Sequence, residues 1–465
     1  MKLFVWRSLA ATSVTAAVLA GPLLSGPAAQ AETRPQYGGT LHVSMRAAPA
    51  TVDPSDRSQP DSFAQRSVTL LIFETLVALD DNGRIQAGLA TSWQASTGNR
   101  HWQLRLRRGV KFHDGTPLTP EAAAASLRAT NPSWTVSADA DSVVIDRESG
   151  NAELLAELAL PRNAIMKKTS GNQSIGTGPF RIADWQPGKK LTLAAQENYW
   201  GGRSYLDEID IEMGKSYRDQ TTALESGWAD LIEVAVEQAH RVPLEGRRLA
   251  NSEPIELLAL VFARDAQTPD DKLLREALAL CVERKSIRSV LLQGTGQPAA
   301  SILPNWMSGY GFVFSAEADL PRAHHLREQL RTLPSLSIGY DGNDAISRLI
   351  AERVALNARD AGLSLQPTSG TMADVRIVRI SLPSPDPWIA LAGIAASSGV
   401  AGPAKAEGSV DELYSSEQAL LAAERIIPLF HLPVFYAASA ALKNWSIRPD
   451  GSWNLADAWL GNGRP

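Results

Sequence analysis

Cysteine is nearly absent. Cys281 stands alone in 465 residues, which excludes an internal disulfide framework and any multi-cysteine metal site. Positive charge is not in excess: 45 Lys and Arg face 50 Asp and Glu, so the basic face of a nucleic-acid binder is missing. No Gly-x-Ser-x-Gly nucleophile elbow occurs, and none of the seven histidines has the His-Glu-x-x-His spacing of a zinc helix. His324 and His325 are adjacent, which sets them about 100° apart on a helix and suits a solvated face better than a metal. Gly214-Lys215-Ser216 has the end of a phosphate loop without its upstream glycine. Beyond residue 31 no apolar run is long enough to cross a bilayer. Aromatic residues make up only 6% of the chain, yet 12 of them are tryptophans.

What is present describes a folded, exported chain. With 44% hydrophobic and 20% charged residues it can bury a large core, and its length allows about three domains. Lys2 and Arg7 precede a mostly apolar stretch from Leu9 to Leu24. Ala29-Gln30-Ala31 then has the small-x-small pattern of a signal-peptidase site. Thr12, Ser13, Gly21 and Pro22 interrupt the stretch, which makes it a poor membrane anchor. Residues 1–31 are expected to be a signal peptide cleaved after Ala31. With no cysteine near that site, no lipid anchor is expected, and the periplasm is the expected location.

Strands and helices alternate through the rest. Leu41, Val43 and Met45 alternate with polar residues as on a half-buried strand. A helix is expected from Phe63 to about Leu76, with Asp61 or Ser62 as its N-cap. Trp102, Leu104 and Leu106 share one strand face, and Thr119-Pro120 starts the next helix. Ile209, Ile211 and Met213 mark another half-exposed strand. Asp271 to Leu292 reads as one helix with Leu274, Leu278, Cys281 and Val282 on a single face, so Cys281 is core filling rather than a nucleophile. From Leu336 the order strand, helix (Asp344 to Ala361), strand, strand implies a βαβ unit and mixed sheet. The fold class is α/β with more than one lobe.

Several blocks occur in an order that resembles one family. They are Leu89 to Leu127 (LATSWQASTGNRHWQLRLRRGVKFHDGTPLTPEAAAASL), Ser174 to Trp185, Glu197 to Gly202, and Ala223 to Ile232. Leu274 to Ile287, Gly294 to Pro304, Ile427-Pro428-Leu429 and Gly451 to Trp459 follow. Together they are similar to the family 5 extracellular solute-binding proteins of ABC importers, the group of oligopeptide, dipeptide and nickel-complex binders. The resemblance implies a two-lobed periplasmic-binding-protein fold with mixed sheets, a ligand cleft between the lobes and a double hinge crossover. Lobe I would be 37–256 plus 437–465, and lobe II would be 257–436. It further implies a monomeric, non-enzymatic receptor with no cofactor. Such a receptor captures a small peptide or peptide-like solute and passes it to a membrane permease. A carboxylate-rich chelator or nickel-metallophore complex is the alternative cargo, and a secreted hydrolase is the more distant reading.

Departures from the family pattern bear on the ligand. Peptide-binding members carry an amine-binding aspartate in an Ala-Asp-Tyr-x-Asp-Pro segment. Here the stretch is Leu382-Pro383-Ser384-Pro385-Asp386-Pro387, with Pro383 at that position. Glu157 to Arg162, Ser62 to Gln65 and Asp344 to Ser347 resemble the nickel-binding subgroup instead. There the arginine equivalent to Arg162 grips a chelator carboxylate, a bidentate pairing that lysine cannot match. Ser62, Ser381 and Pro385 replace that subgroup's contact residues, so no metal ligand is expected. The ligand-binding candidates are Arg162, Trp388, Arg46, Arg379, Trp134 and Asp386. Arg162 has a surface salt bridge as its plainer role, and Arg46 and Arg379 a solvated strand face. Trp388 has core packing, and Asp386 the shaping of its loop.

Overall fold

The computed structural model describes residues 34–56, 58, 61–241, 247–370, 372–403 and 408–461. The expected signal peptide, 1–31, with its cleavage after Ala31, lies outside them. The alternation at Leu41, Val43 and Met45 becomes a strand, Thr40–Ser44, whose apolar side chains are fully buried. It pairs in parallel with Glu208–Glu212 and with Leu231–Val234. These join a mixed sheet of 11 strands among the described residues. At its other end lies the expected βαβ unit: Ser335–Tyr340 runs parallel to both Ser364–Ser369 and Val375–Ser381, with the helix Ala345–Asp360 between.

Two long antiparallel strands link these halves of the sheet. Arg248–Phe262 and Ile426–Ala438 pair from Arg248 opposite Ala438 to Val261 opposite Ile426. Leu258, Leu260 and Phe262 enter one hydrophobic core, and Leu257, Ala259 and Val261 enter another, as the two-residue period of a strand buried on both faces requires. The expected lobe boundaries at 256/257 and 436/437 fall within these two strands. A separate four-stranded sheet, containing Ala90–Ala95 and His101–Leu106, packs Trp102, Leu104 and Leu106 against the helix Pro120–Thr130.

Two helices end earlier than expected. The first covers Phe63–Ile72 rather than reaching Leu76, with Ser62 as its cap. Phe73 is already extended, and Glu74 bridges to Ile165. Gly176 and Gly178 lie against the carbonyl end of this helix, where the Gly178 N–H donates to Ile72 O at 3.0 Å. A Cβ at Gly178 would stand 2.7 Å from backbone atoms of Leu71 and Ile72, so the close approach requires glycine. The expected helix 271–292 is likewise Pro269–Cys281, broken at Val282 and resumed as short turns. There the Asn357 side chain accepts the Glu283 N–H, and Arg284 donates both Nε and Nη2 to Pro428 O. Cys281 is buried as expected, and burial pushes its thiol up to about 12.

The first helix is tied to the sheet by Arg66, whose side chain is 2% exposed. Its Nε donates to Asp61 Oδ1 at 2.7 Å, and Nη1 donates to the Leu382 and Asp450 carbonyls, each at 2.8 Å. Removing it leaves the Leu382 and Asp450 carbonyls without their donor, while Asp61 is half exposed and can turn to water. Arg66→Met is expected to lower stability by about 1–3 kcal/mol. Urea unfolding measures it, and a loss below ~1 kcal/mol contradicts that role.

Candidate functional site

A cavity of about 300 Å³ opens beside the paired long strands. Its wall uses the carboxyl ends of strands, the place where α/β sheets present crevices. Arg46 follows the strand Thr40–Ser44, Glu233 ends Leu231–Val234, and Arg379 and Ser381 end Val375–Ser381. Tyr217 is the first residue of the helix Tyr217–Glu225, and Ser62 and Phe63 open the first helix. Glu256, Pro433 and Tyr436 come from the long strands themselves.

Charges of both signs line this space. Arg379 Nη1 donates to Glu256 Oε2 at 3.3 Å, a diagonal cross-strand pair that follows from the pairing of Glu256 with Ser381. Its Nε lies 3.7 Å from Asp344 Oδ2 and donates no hydrogen bond. Burial works against the Arg379 charge, but Glu256, Tyr217 and Asp344 outweigh it and raise its pKa. The Arg46 guanidinium rests 4.9 Å from the centre of the Tyr217 ring, and its Nη2 is 3.8 Å from Asp341. The Arg46 backbone N–H donates to Glu233 Oε2, which also accepts from Gln220 Nε2 at 3.4 Å. Burial raises the carboxyls of Glu233 and Glu256 above their ordinary range, despite these donors. Tyr217 is raised in the same way by burial.

Of the six candidates, the fold brings together Arg46 and Arg379. Arg162 sits on the single turn Pro161–Asn163 and lines a different cavity of about 140 Å³, with Arg66 and Pro383. Trp388 is 4% exposed and Trp134 7%, each within a hydrophobic core. The Arg147 guanidinium covers the Trp134 ring at 5.0 Å. Neither tryptophan lines the cavity, because each is covered by its own core. Asp386 caps the helix Pro387–Ser397, accepting the Ile389 N–H at 2.9 Å, and is likewise not in the cavity wall. Among the described residues no three His, Cys, Asp or Glu side chains gather as a metal-ligating group.

Sequence reading missed Glu233, Glu256 and Tyr217. A signal for the two acids exists. Glu256 interrupts the apolar run from Ile255 to Phe262, and Glu233 the run from Leu231 to Val236. A lone acid inside a buried strand needs a reason. Their raised pKa values mean that folding favours the protonated forms. That stability is complete below the ordinary value of 4.5 and is lost as pH rises through the folded values. Glu233→Gln, which cannot ionise, should therefore gain stability relative to the parent as pH rises above 4.5. Thermal melts of solute-free protein across pH read the difference, and a difference that does not vary with pH contradicts it.

Comparison with known proteins supports this architecture. The nickel-binding protein NikA of Staphylococcus aureus is 26% identical over 279 residues, covering 57% of this chain and 55% of that protein. The oligopeptide-binding protein AppA of Bacillus subtilis is 24% identical over 329 residues, 64% of this chain and 59% of the relative. The chain thus spans under two thirds of the length of these curated relatives. A dipeptide-binding protein from Pseudoalteromonas sp. SM9913, solved with Met-Leu, shares the fold at a TM-score of 0.79 and 16% identity, covering 91% of this chain and 100% of that one. The family model described as bacterial extracellular solute-binding proteins, family 5 (middle), matches residues 84–375, more than half of the sequence, and the chain belongs to that family.

Proposed function

We propose that this protein is the exported receptor of an ABC importer, which captures a small peptide or peptide-like solute and hands it to a membrane permease. The observation that carries this reading is the charged cavity of about 300 Å³ beside the paired long strands. A solute bridging the ends of strands from both halves of the sheet favours a closed state by its differential affinity for it. The lobes would be 37–256 with 437–465, and 257–436, hinged on Arg248–Phe262 and Ile426–Ala438. Export to the periplasm would remove residues 1–31 after Ala31. The receptor performs no chemical step and returns its solute unchanged. The relatives named for oligopeptide and dipeptide binding support peptides as cargo.

A second reading has its own observation. Arg162 lines the smaller cavity beside Pro383, where a carboxylate-rich chelator, with or without a metal as cargo, could be gripped. Mass spectrometry of the solute released by mild denaturation of natively purified protein separates the two readings. Recovery of a chemically altered solute would sink both. Arg162→Ala is expected to weaken a carboxylate-bearing solute by about 2–5 kcal/mol. Calorimetry reads this, and unchanged affinity removes Arg162 from the site.

A further inference from the structure

A second cavity, of about 440 Å³, shares no lining residue with the first. Phe73 and Glu74, just past the first helix, line it with Tyr199 and Trp200. The hairpin of Val77–Leu79 and Ile85–Ala87 carries Asp80 and Asp81 to it, and the closing segment brings Arg448 and Asp450. Leu70, Leu79 and Pro179 add apolar wall. Asp81 and Arg448 also line an adjoining cavity of about 440 Å³, so these two charges stand where two spaces meet.

Arg448 is the one cation in the lining of the second cavity. Its guanidinium makes one hydrogen bond with a described residue, from Nη2 to Asn454 Oδ1 at 3.3 Å, and no ion pair. Nε and Nη1 donate to no described residue and are not sealed, so they open on the space Arg448 lines. Burial lowers its pKa although Asp450, Tyr199 and Asp81 favour the charge. The acids around it are unevenly engaged. Glu74 is held by Thr177, Tyr199 and Trp200. Oδ1 of Asp80 accepts the N–H groups of Asn82 and Arg84, each at 2.8 Å, and Oδ1 of Asp450 accepts the Ser452 N–H and hydroxyl. Their Oδ2 atoms, and both oxygens of the exposed Asp81, accept no hydrogen bond from a described residue.

One cavity thus presents spare N–H donors and spare carboxylate oxygens that do not reach each other. A simple anion would satisfy Arg448 and face four acids. A simple cation would satisfy the acids and face the guanidinium. A molecule with both charges on one small head meets both needs, and an apolar body suits the remaining wall. We propose that this cavity is a second binding site, which takes a free apolar amino acid with its carboxylate on Arg448 and its ammonium on the Asp80–Asp81 turn. It stands apart from the receptor reading, whose cargo occupies the first cavity.

Calorimetry on dialysed, full-length exported protein tests it with L-leucine, leucinamide and 4-methylpentanoate. Leucine should bind at least about tenfold more tightly than leucinamide, which lacks the carboxylate, and than 4-methylpentanoate, which lacks the amine. That factor is the scale of one charged hydrogen bond. Arg448→Met and Asp81→Asn should each weaken leucine by a similar factor. Equal binding of the three compounds, or no binding of leucine by the parent protein, overturns the proposal. Leucine affinity unchanged in either folded variant puts the amino acid elsewhere and overturns it as well. The Asp81 side chain is exposed and free of hydrogen bonds to described residues, so Asp81→Asn decides alone where Arg448→Met does not fold.

Discussion

The antiparallel ladder between Arg248–Phe262 and Ile426–Ala438 is the constraint on which the cavity depends. It is the stretch where strands from both halves of the sheet meet, so whatever it does to its own side chains sets the site. Pro254 stands opposite Pro433 in this ladder, and the register shifts on both sides of Pro254. Proline has no N–H to give a neighbouring strand and is tolerated inside a sheet only at such irregularities. Bulges re-aim side chains. Just past these shifts Glu256 reaches the cavity on one strand, and Pro433 to Tyr436 line it on the other. Further along, Leu257 to Phe262 alternate between two cores and are buried, although the register shifts once more between Leu258 and Ala259.

The blocks of sequence that identify the family build the scaffold more than the site. Glu74 shows how. Its carboxylate accepts from Thr177 Oγ1 at 2.7 Å, Tyr199 OH at 2.8 Å and Trp200 Nε1 at 3.0 Å. Burial raises its pKa, and these three donors oppose the rise. Thr177 belongs to the Gly-Thr-Gly-Pro block, and Tyr199 and Trp200 to the Glu-Asn-Tyr-Trp block. Both blocks therefore meet at one buried acid just beyond the first helix. A knot of this kind tolerates little substitution, because losing any donor leaves the buried carboxylate with fewer hydrogen bonds to offset its lost hydration.

Features set by neighbours in the chain were readable. The strand at Leu41 to Met45, the caps Thr119 and Asp344, and the βαβ order after Leu336 rest on alternation or on hydrogen bonds within a few residues. Helix ends set from afar were not. Ile72 ends its helix because Gly176 and Gly178, about a hundred residues on, occupy its carbonyl end. The tryptophans show the same limit. The helix Pro387–Ser397 is apolar on nearly every side, so no face of it was marked as ligand-facing, and Trp388 went to the core. Arg162 and Arg379 were both plausible anion contacts, yet the fold gives them to separate cavities.

The sequence by itself determined the family, the α/β class, the burial of Cys281 and the position of Arg379 on a strand, because periodicity and ordered motifs are local information; Arg46, expected on a strand, lies just past the end of Thr40–Ser44. Only the tertiary structure decided which charges share a space. Arg46, Glu233, Glu256 and Arg379 are separated by up to hundreds of residues, and strand register alone places them around one cavity. Their chemistry comes from that placement. A carboxylate on an exposed strand is ordinary, whereas the same group half-buried in a cavity wall has its charge set by burial and by the arginines beside it.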